Sequence, residues 1–85
     1  MATIYKTDGS SVEVDPKNGK YFELEELQDV VNGSIETVHL KDGRLMVVNE
    51  EGKLLDLPYN RKASMLYKRD IIVGDALICE KGQIK

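Results

Sequence analysis

Residues 35–49 read IETVHLKDGRLMVVN, and the predicted fold is built around this segment. Two runs rich in β-forming residues, 35–40 and 45–49, flank a short turn segment that contains Asp42 and Gly43. Asp-Gly is favoured in the tight turns of β-hairpins because glycine adopts positive φ angles without a steric penalty. The stretch therefore predicts an antiparallel hairpin in the middle of the chain.

Further short strands are predicted on both sides of this hairpin. Residues 3–5 and 12–14 are β-prone and are separated by a second Asp-Gly turn, so a first hairpin opens the chain. After the central hairpin, residues 53–55 follow a turn and predict a short additional strand. Residues 71–79 predict a closing strand, with a bend at Gly74.

Two helices are predicted between these strands. Apolar side chains recur with the helical period over about residues 23–32, and Asn32 with Gly33 supplies the left-handed residue that ends a helix. Residues 61–68 show the same period over a shorter span, and Asn60 before them is a good N-cap. The segments predict one amphipathic helix and one shorter helix.

Length and composition fit a single small α+β domain spanning residues 1–85. With 41% apolar residues and no Trp, we expect an antiparallel-rich sheet of about five to six strands, covered on one face by the two short helices. The net charge of −3 gives no general attraction to nucleic acid or to an anionic membrane. The single cysteine, Cys79, and the lack of a long apolar run lead us to expect a cytoplasmic protein.

Several blocks of the sequence resemble one known family. The blocks are NEEGKL at 49–54, LPYNRKA at 57–63, DIIVGDA at 70–76 and the helix with its glycine stop, LEELQDVVNG at 24–33. The pattern resembles a small domain-of-unknown-function family, DUF3846, of phages, plasmids and other bacterial mobile elements. The resemblance implies a mobile-element setting and carries no biochemical activity. Glu23, where the family has Ser or Thr as a helix cap, and His39, where it has Pro, depart from the pattern.

No catalytic or metal-binding set is visible in the sequence. With one histidine, His39, and one cysteine, neither a nucleophilic triad nor a zinc site can be built from the usual residues. We interpret His39 and Cys79 as structural or surface residues of their strands. Glu50 and Glu51 are adjacent and would point to opposite faces of a strand, which argues against a shared acid–base centre. We therefore expect a protein without enzyme activity, metal or cofactor.

Basic residues around the second helix form the candidate binding site. The helical period places along one side the residues that we call the basic stripe, namely Arg61, Lys62, Lys68 and Arg69, with Met65 among them. The helix start, capped by Asn60, would favour a phosphate or carboxylate, and Tyr59 beside it could stack on a base. A solvated helix face is the alternative interpretation of the stripe.

Two functional hypotheses follow from these patterns. The first is a non-enzymatic accessory protein that binds a host or element-encoded protein through charged helix faces. The acidic face of the first helix consists of Glu25, Glu26 and Asp29. The alternative is a small-ligand protein that binds a nucleotide-like anion with Tyr59, Asn60 and Arg61, in a site completed by a homodimer. The acidic balance disfavours nucleic acid as a partner, and nothing indicates a membrane.

Overall fold

The computed structural model describes residues 2–84 of the chain. Its elements are β1 (Ala2–Tyr5), β2 (Ser11–Val14), α1 (Leu24–Val31), β3 (Ile35–His39), β4 (Leu45–Asn49), α2 (Arg61–Tyr67), β5 (Ala76–Cys79) and a 3₁₀ turn at Lys81–Gln83. The strands form a five-stranded sheet in the order β2-β1-β5-β4-β3, and each neighbouring pair is antiparallel. The predicted small α+β fold with an antiparallel sheet and two helices is confirmed.

The last strand, β5, lies between the two hairpins. Ile78 of β5 pairs with Thr3 of β1 on one side and with Met46 of β4 on the other. Both β4 and β5 are buried along their whole length. Strands that are covered on both faces carry continuous apolar runs rather than alternating ones, which explains why LMVV and ALIC occupy the centre of the sheet.

The sheet separates two apolar clusters, one on each face. Because adjacent strand residues point to opposite faces, Val47 joins a cluster with Leu27 of α1, whereas Met46 joins a cluster with Ala63 of α2. The two helices therefore cover opposite faces, and the expectation that both lie on one face is wrong. The physical reason is that the central strands are apolar on both faces, so each face needs a cover.

Residues 53–55 do not form the predicted short strand. They lie in consecutive turns, in which the Leu55 amide donates to the Glu51 carbonyl at 2.9 Å and the Leu57 amide donates to the Gly52 carbonyl at 3.1 Å. These local bonds use the backbone groups that a sheet would need. The segment therefore leaves the sheet immediately after β4.

The closing strand is shorter than predicted. It comprises Ala76–Cys79, whereas residues 71–75 approach it as a loop with one isolated bridge between Val73 and Tyr59. The predicted bend at Gly74 is present, since this residue has a φ of 77°. A positive φ interrupts the extended backbone, so strand pairing begins only after this glycine.

Both predicted helices form close to their expected limits. α1 ends at Asn32, which has a φ of 60°, and Asn60 caps α2 by accepting a hydrogen bond from the Ala63 amide. At the start of α1, the amide of Glu23 donates to the Glu26 carboxylate at 2.8 Å, so this helix starts without a Ser or Thr cap. Within residues 2–84, no helix has the length and apolar character needed to cross a membrane.

Candidate binding surface

The structure divides the basic stripe into two pairs at opposite ends of α2. Arg61 and Lys62 begin this seven-residue helix, whereas Lys68, with a φ of 69°, ends it and Arg69 follows in a bend. The left-handed residue interrupts the helical period, so the four cations do not form one continuous row. All four side chains are exposed, and none forms an ion pair with another residue of the described range 2–84.

Asn60 is buried, with 0% of its surface exposed, and it is not available to a ligand. Its Nδ2 donates to the carbonyls of Tyr5 at 2.8 Å and Gly74 at 2.9 Å. Its Oδ1 accepts from the Ala63 amide at 3.1 Å. Because these bonds use both amide hydrogens and the cap acceptor, Asn60 is a structural residue, and the prediction that it contacts a ligand does not hold.

A hydroxyl bridge fixes the loop that follows α2. The Ile72 amide donates to Ser64 Oγ at 2.7 Å, and Ser64 Oγ donates to the Asn60 carbonyl at 2.7 Å. The Asn60 amide in turn donates to the Ile72 carbonyl at 2.8 Å. These buried bonds hold residues 70–73 against α2, while Ile71 remains on the outside.

Three large apolar side chains are exposed beside the second pair of cations. Tyr59 is 52% exposed, Met65 is 60% exposed and Ile71 is 52% exposed. Together with Lys68 and Arg69 they line a shallow depression of about 350 Å³. We call this the α2 surface. Tyr, Met and Arg are enriched where proteins bind one another, and exposed apolar groups that lie together mark interaction sites.

A second depression, of about 320 Å³, lies beside β3 on the α2 side of the sheet. We call it the β3 groove. Its principal lining side chains are Glu36 and Val38 from β3, Glu50 after β4, Leu54 from the turns, and Tyr67 and Ile71 from α2 and the following loop. The groove thus combines an apolar floor with carboxylates, and it meets the α2 surface at Asp70 and Ile71.

An ion pair between Lys53 and Asp70 lies in the lining of the β3 groove. Lys53 donates to the Asp70 carboxylate, and this hydrogen bond, with a further one from the Ile71 amide, lowers the pKa of Asp70. Both side chains remain solvent-exposed, so the pair contributes little to stability.

The acidic face of α1 contains one side chain that is occupied by the fold. The Glu26 carboxylate accepts from the amides of Glu23 at 2.8 Å and Lys17 at 3.0 Å, and these bonds lower the pKa of Glu26. Glu25 and Asp29 are exposed. The acidic face therefore offers two of its three predicted carboxylates to a partner.

The remaining sequence candidates for chemistry have no assembled partners in the described residues. Burial, with a smaller contribution from the neighbouring Glu80, raises the pKa of the Cys79 thiol to about 11, which fits the interpretation of a small core residue. His39 is exposed at the end of β3. Across residues 2–84, no three His, Cys, Asp or Glu side chains come together in a way that could hold a metal ion.

Leu54 and Ile71 belong to the candidate surfaces but were expected inside strands. Each is one half of an adjacent apolar pair, with Leu55 and with Ile72. In a strand that is covered on one face only, adjacent residues point to opposite sides, so one member of each pair would be exposed. Two neighbouring apolar residues in such a strand therefore indicate that one of them is exposed.

The protein thus has a small three-layer α+β fold that presents apolar and charged side chains around its second helix. The family model for Domain of unknown function (DUF3846) matches residues 1–84, and the chain belongs to this family. The family resemblance seen in the sequence is thereby confirmed. Comparisons with curated proteins and with solved structures found no match.

Proposed function

We propose that the protein is a non-enzymatic accessory protein of a phage or mobile element, which binds a host or element-encoded protein in the bacterial cytoplasm. The observation that carries this proposal is the α2 surface. There, large apolar side chains lie in contact with solvent beside two cations that have no ion-pair partner within residues 2–84. The mobile-element setting that the sequence resemblance implies is in keeping with an accessory role.

The chemistry of the α2 surface specifies the partner that would fit it. Burying Met65 and Tyr59 against another protein would stabilise a complex through the hydrophobic effect, at about 25 cal/mol for each Å² of apolar surface. Lys68 and Arg69 would then meet carboxylates of the partner, which gives orientation and faster association. We therefore expect a partner patch that is apolar at its centre and acidic at its rim.

The nucleotide-like ligand hypothesis has less support from the geometry. Its central polar residue, Asn60, is buried, and its hydrogen-bonding groups are in use. The helix whose start would attract the anion, α2, has only seven residues. Tyr59 and Arg61 remain exposed, but the Asn60 side chain between them in the sequence is not available to a ligand. Protein binding is the function that the exposed side chains support better.

The decisive experiment compares the wild type with a charge-reversed variant, Lys68→Glu with Arg69→Glu. The tagged proteins are used to capture partners from bacterial lysate, and a captured protein is then purified and its affinity is measured by calorimetry. We expect the double variant to weaken binding by about tenfold or more, because it replaces attraction with repulsion. Met65→Glu should weaken the same complex through its apolar centre.

The matched control is Lys20→Glu with Lys41→Glu, which makes the same charge change at exposed positions outside α2. This control should retain the partner at wild-type affinity. A partner held equally by all variants would overturn the assignment of the α2 surface. A stoichiometric small molecule in native mass spectra, lost in Arg61→Ala, would instead restore the ligand hypothesis.

A further inference from the structure

β3 is an edge strand whose outer backbone groups have no partner in the sheet. The Leu40 amide donates to the Arg44 carbonyl at 2.9 Å, which fixes the register of bonding between β3 and β4. Bonded and non-bonded residues alternate along an antiparallel pair. The even-numbered residues of β3 therefore bond to β4, whereas Ile35, Thr37 and His39 direct their N–H and C=O groups toward the open edge.

Side chains of this edge strand contribute to the lining of the β3 groove. Glu36 and Val38 line it, and Glu36 pairs across the sheet with Val48, which belongs to the cluster on the α2 face. On the opposite side, Leu54 is 86% exposed and Ile71 is half-exposed. A strand added to β3 would place alternate side chains next to Glu36 and Val38, on the face that carries the groove, because side chains two positions apart lie on one face.

The charge of the groove indicates which charge a bound segment should carry. Glu36 and Glu50 are exposed, and neither forms an ion pair with any described residue of 2–84. The Lys53 cation in the lining is already paired with Asp70. The uncompensated charge of the groove is therefore negative, and a basic segment would complement it.

We propose that the β3 groove binds an extended basic segment of a partner protein by strand addition to β3. Main-chain hydrogen bonds to Ile35, Thr37 and His39 supply affinity, and side chains supply selectivity. An apolar side chain of the segment lies between Val38 and Leu54. A Lys or Arg two positions away faces Glu36.

The β3 groove is a second surface, separate from the α2 surface on which the proposed function rests. The α2 surface is basic and suits an acidic patch, whereas the β3 groove is acidic and suits a basic strand. The two surfaces meet at Asp70 and Ile71 but are defined by opposite charges and by different contacts. Variants of each surface test its binding independently of the other.

The test uses a displayed library of random twelve-residue peptides selected on the wild-type protein, followed by fluorescence anisotropy with the selected peptides. We expect enrichment of an apolar residue and a Lys or Arg at positions two apart. Thr37→Pro removes an outward N–H without breaking a bond to β4, and proline is tolerated on edge strands. It should lower peptide affinity about tenfold or more, from lost hydrogen bonds and steric obstruction.

Two controls keep the test specific to the groove. Ser11→Pro alters the other edge strand, β2, and should bind the peptides like the wild type. Thr37→Val keeps the backbone donor and should also bind normally. Should Thr37→Pro fail to fold, Leu54→Ser removes the apolar contact at a side chain that is 86% exposed without adding charge, and it should also weaken peptide binding.

The proposal is overturned when selected peptides are acidic, or when Thr37→Pro and Leu54→Ser bind them as tightly as the wild type. A dimer in light scattering that Thr37→Pro converts to a monomer would also overturn it, since a second copy would then occupy the edge. The charge reversal at Lys68 and Arg69 should leave peptide binding intact. A failure of either proposal is thus distinguishable from a failure of the other.

Discussion

The side-chain amide of Asn60 donates a 2.8 Å hydrogen bond to the backbone carbonyl of Tyr5, across 55 positions of the sequence. The same nitrogen donates to the carbonyl of Gly74 at 2.9 Å. One buried amide therefore joins the end of β1, the start of α2 and the approach to β5. Because α2 is too short to be stable alone, these bonds position it on the sheet.

Replacing this residue should cost more stability than the loss of a helix cap. We expect Asn60→Ala to lower the free energy of unfolding by about 3 kcal/mol, since it removes the cap and leaves two carbonyls without their donor. Urea unfolding at neutral pH measures the loss. Asn18→Ala, which removes an exposed side-chain acceptor of two loop amides, should lower it by about 1 kcal/mol or less. Equal losses would contradict the role given to Asn60.

A second buried asparagine fixes the end of α1, and Gly33 leaves the space for it. Asn49 Nδ2 donates to the Val31 carbonyl at 3.0 Å, and a Cβ atom on Gly33 would lie 2.8 Å from that nitrogen. We expect Gly33→Ala to lower the free energy of unfolding by about 2 kcal/mol, because the methyl group displaces Asn49. Thermal unfolding tests this. Gly82→Ala, whose Cβ would meet nothing within 4 Å, should stay near the wild type.

The local elements were predictable because their causes are local. The Asp-Gly turns indicated both hairpins, and apolar periodicity indicated both helices. The strand order and the covering of both faces were not predictable, because they depend on contacts between distant parts of the chain, such as those of β5. β5 is placed by pairing with Thr3 and Met46, which lie far from it in the sequence. The covers of Met46 and Val47 on opposite faces likewise come from distant parts of the chain.

The candidate site was predictable only for side chains that stay at the surface. The cations of the basic stripe are exposed, as their spacing indicated, although Lys68 breaks the row. The role of Asn60 was not predictable, because the carbonyls that it binds come from Tyr5 and Gly74. An N-cap pattern identifies an acceptor for the helix and says nothing of the partners of its amide hydrogens.

Acid should destabilise the fold through carboxylates that accept backbone hydrogen bonds. The pKa of Glu26 is lowered below its ordinary value of 4.5, chiefly by the Glu23 amide and then by the Lys17 amide. A lowered pKa in the folded state means that the stabilisation is present above the unfolded pKa and is lost as the pH falls through the folded one. We expect unfolding free energy to decline below about pH 4.5.

Glu26→Gln should reduce this acid-dependent decline, because the substituted side chain does not titrate. The measurement is urea unfolding at a series of pH values from neutral to about 3. Glu25→Gln is the control, since it removes the same charge one position away and its side chain makes no hydrogen bond within residues 2–84. If the Glu26→Gln protein loses stability in acid as steeply as the Glu25→Gln protein, then Glu26 is not a source of the acid-dependent decline.

The thiol of Cys79 should react slowly in the folded protein. Burial raises the pKa of Cys79 to about 11, and the side chain lies in the cluster beneath α1. The reactive thiolate is therefore both scarce and shielded at pH 8. We expect iodoacetamide to modify Cys79 at least about tenfold faster in denaturing urea than in buffer, as followed by mass spectrometry. Equal rates in the two conditions would contradict a closed core at this position.

The exposed apolar side chains of the two surfaces should contribute little to stability. We expect Leu54→Ser and Met65→Ser to change the free energy of unfolding by about 0.5 kcal/mol or less, because both side chains are mostly solvent-exposed. Met46→Ala, at a fully buried position, should lower it by about 2–5 kcal/mol. Urea unfolding of the three variants checks the contrast.

A loss of more than about 1 kcal/mol in Leu54→Ser would mean that Leu54 packs as part of the fold. Such a result would remove the apolar contact from the β3 groove. An unchanged free energy of unfolding in both serine variants would support a role in binding. An exposed apolar side chain that adds no stability to the fold gains free energy only when another surface covers it.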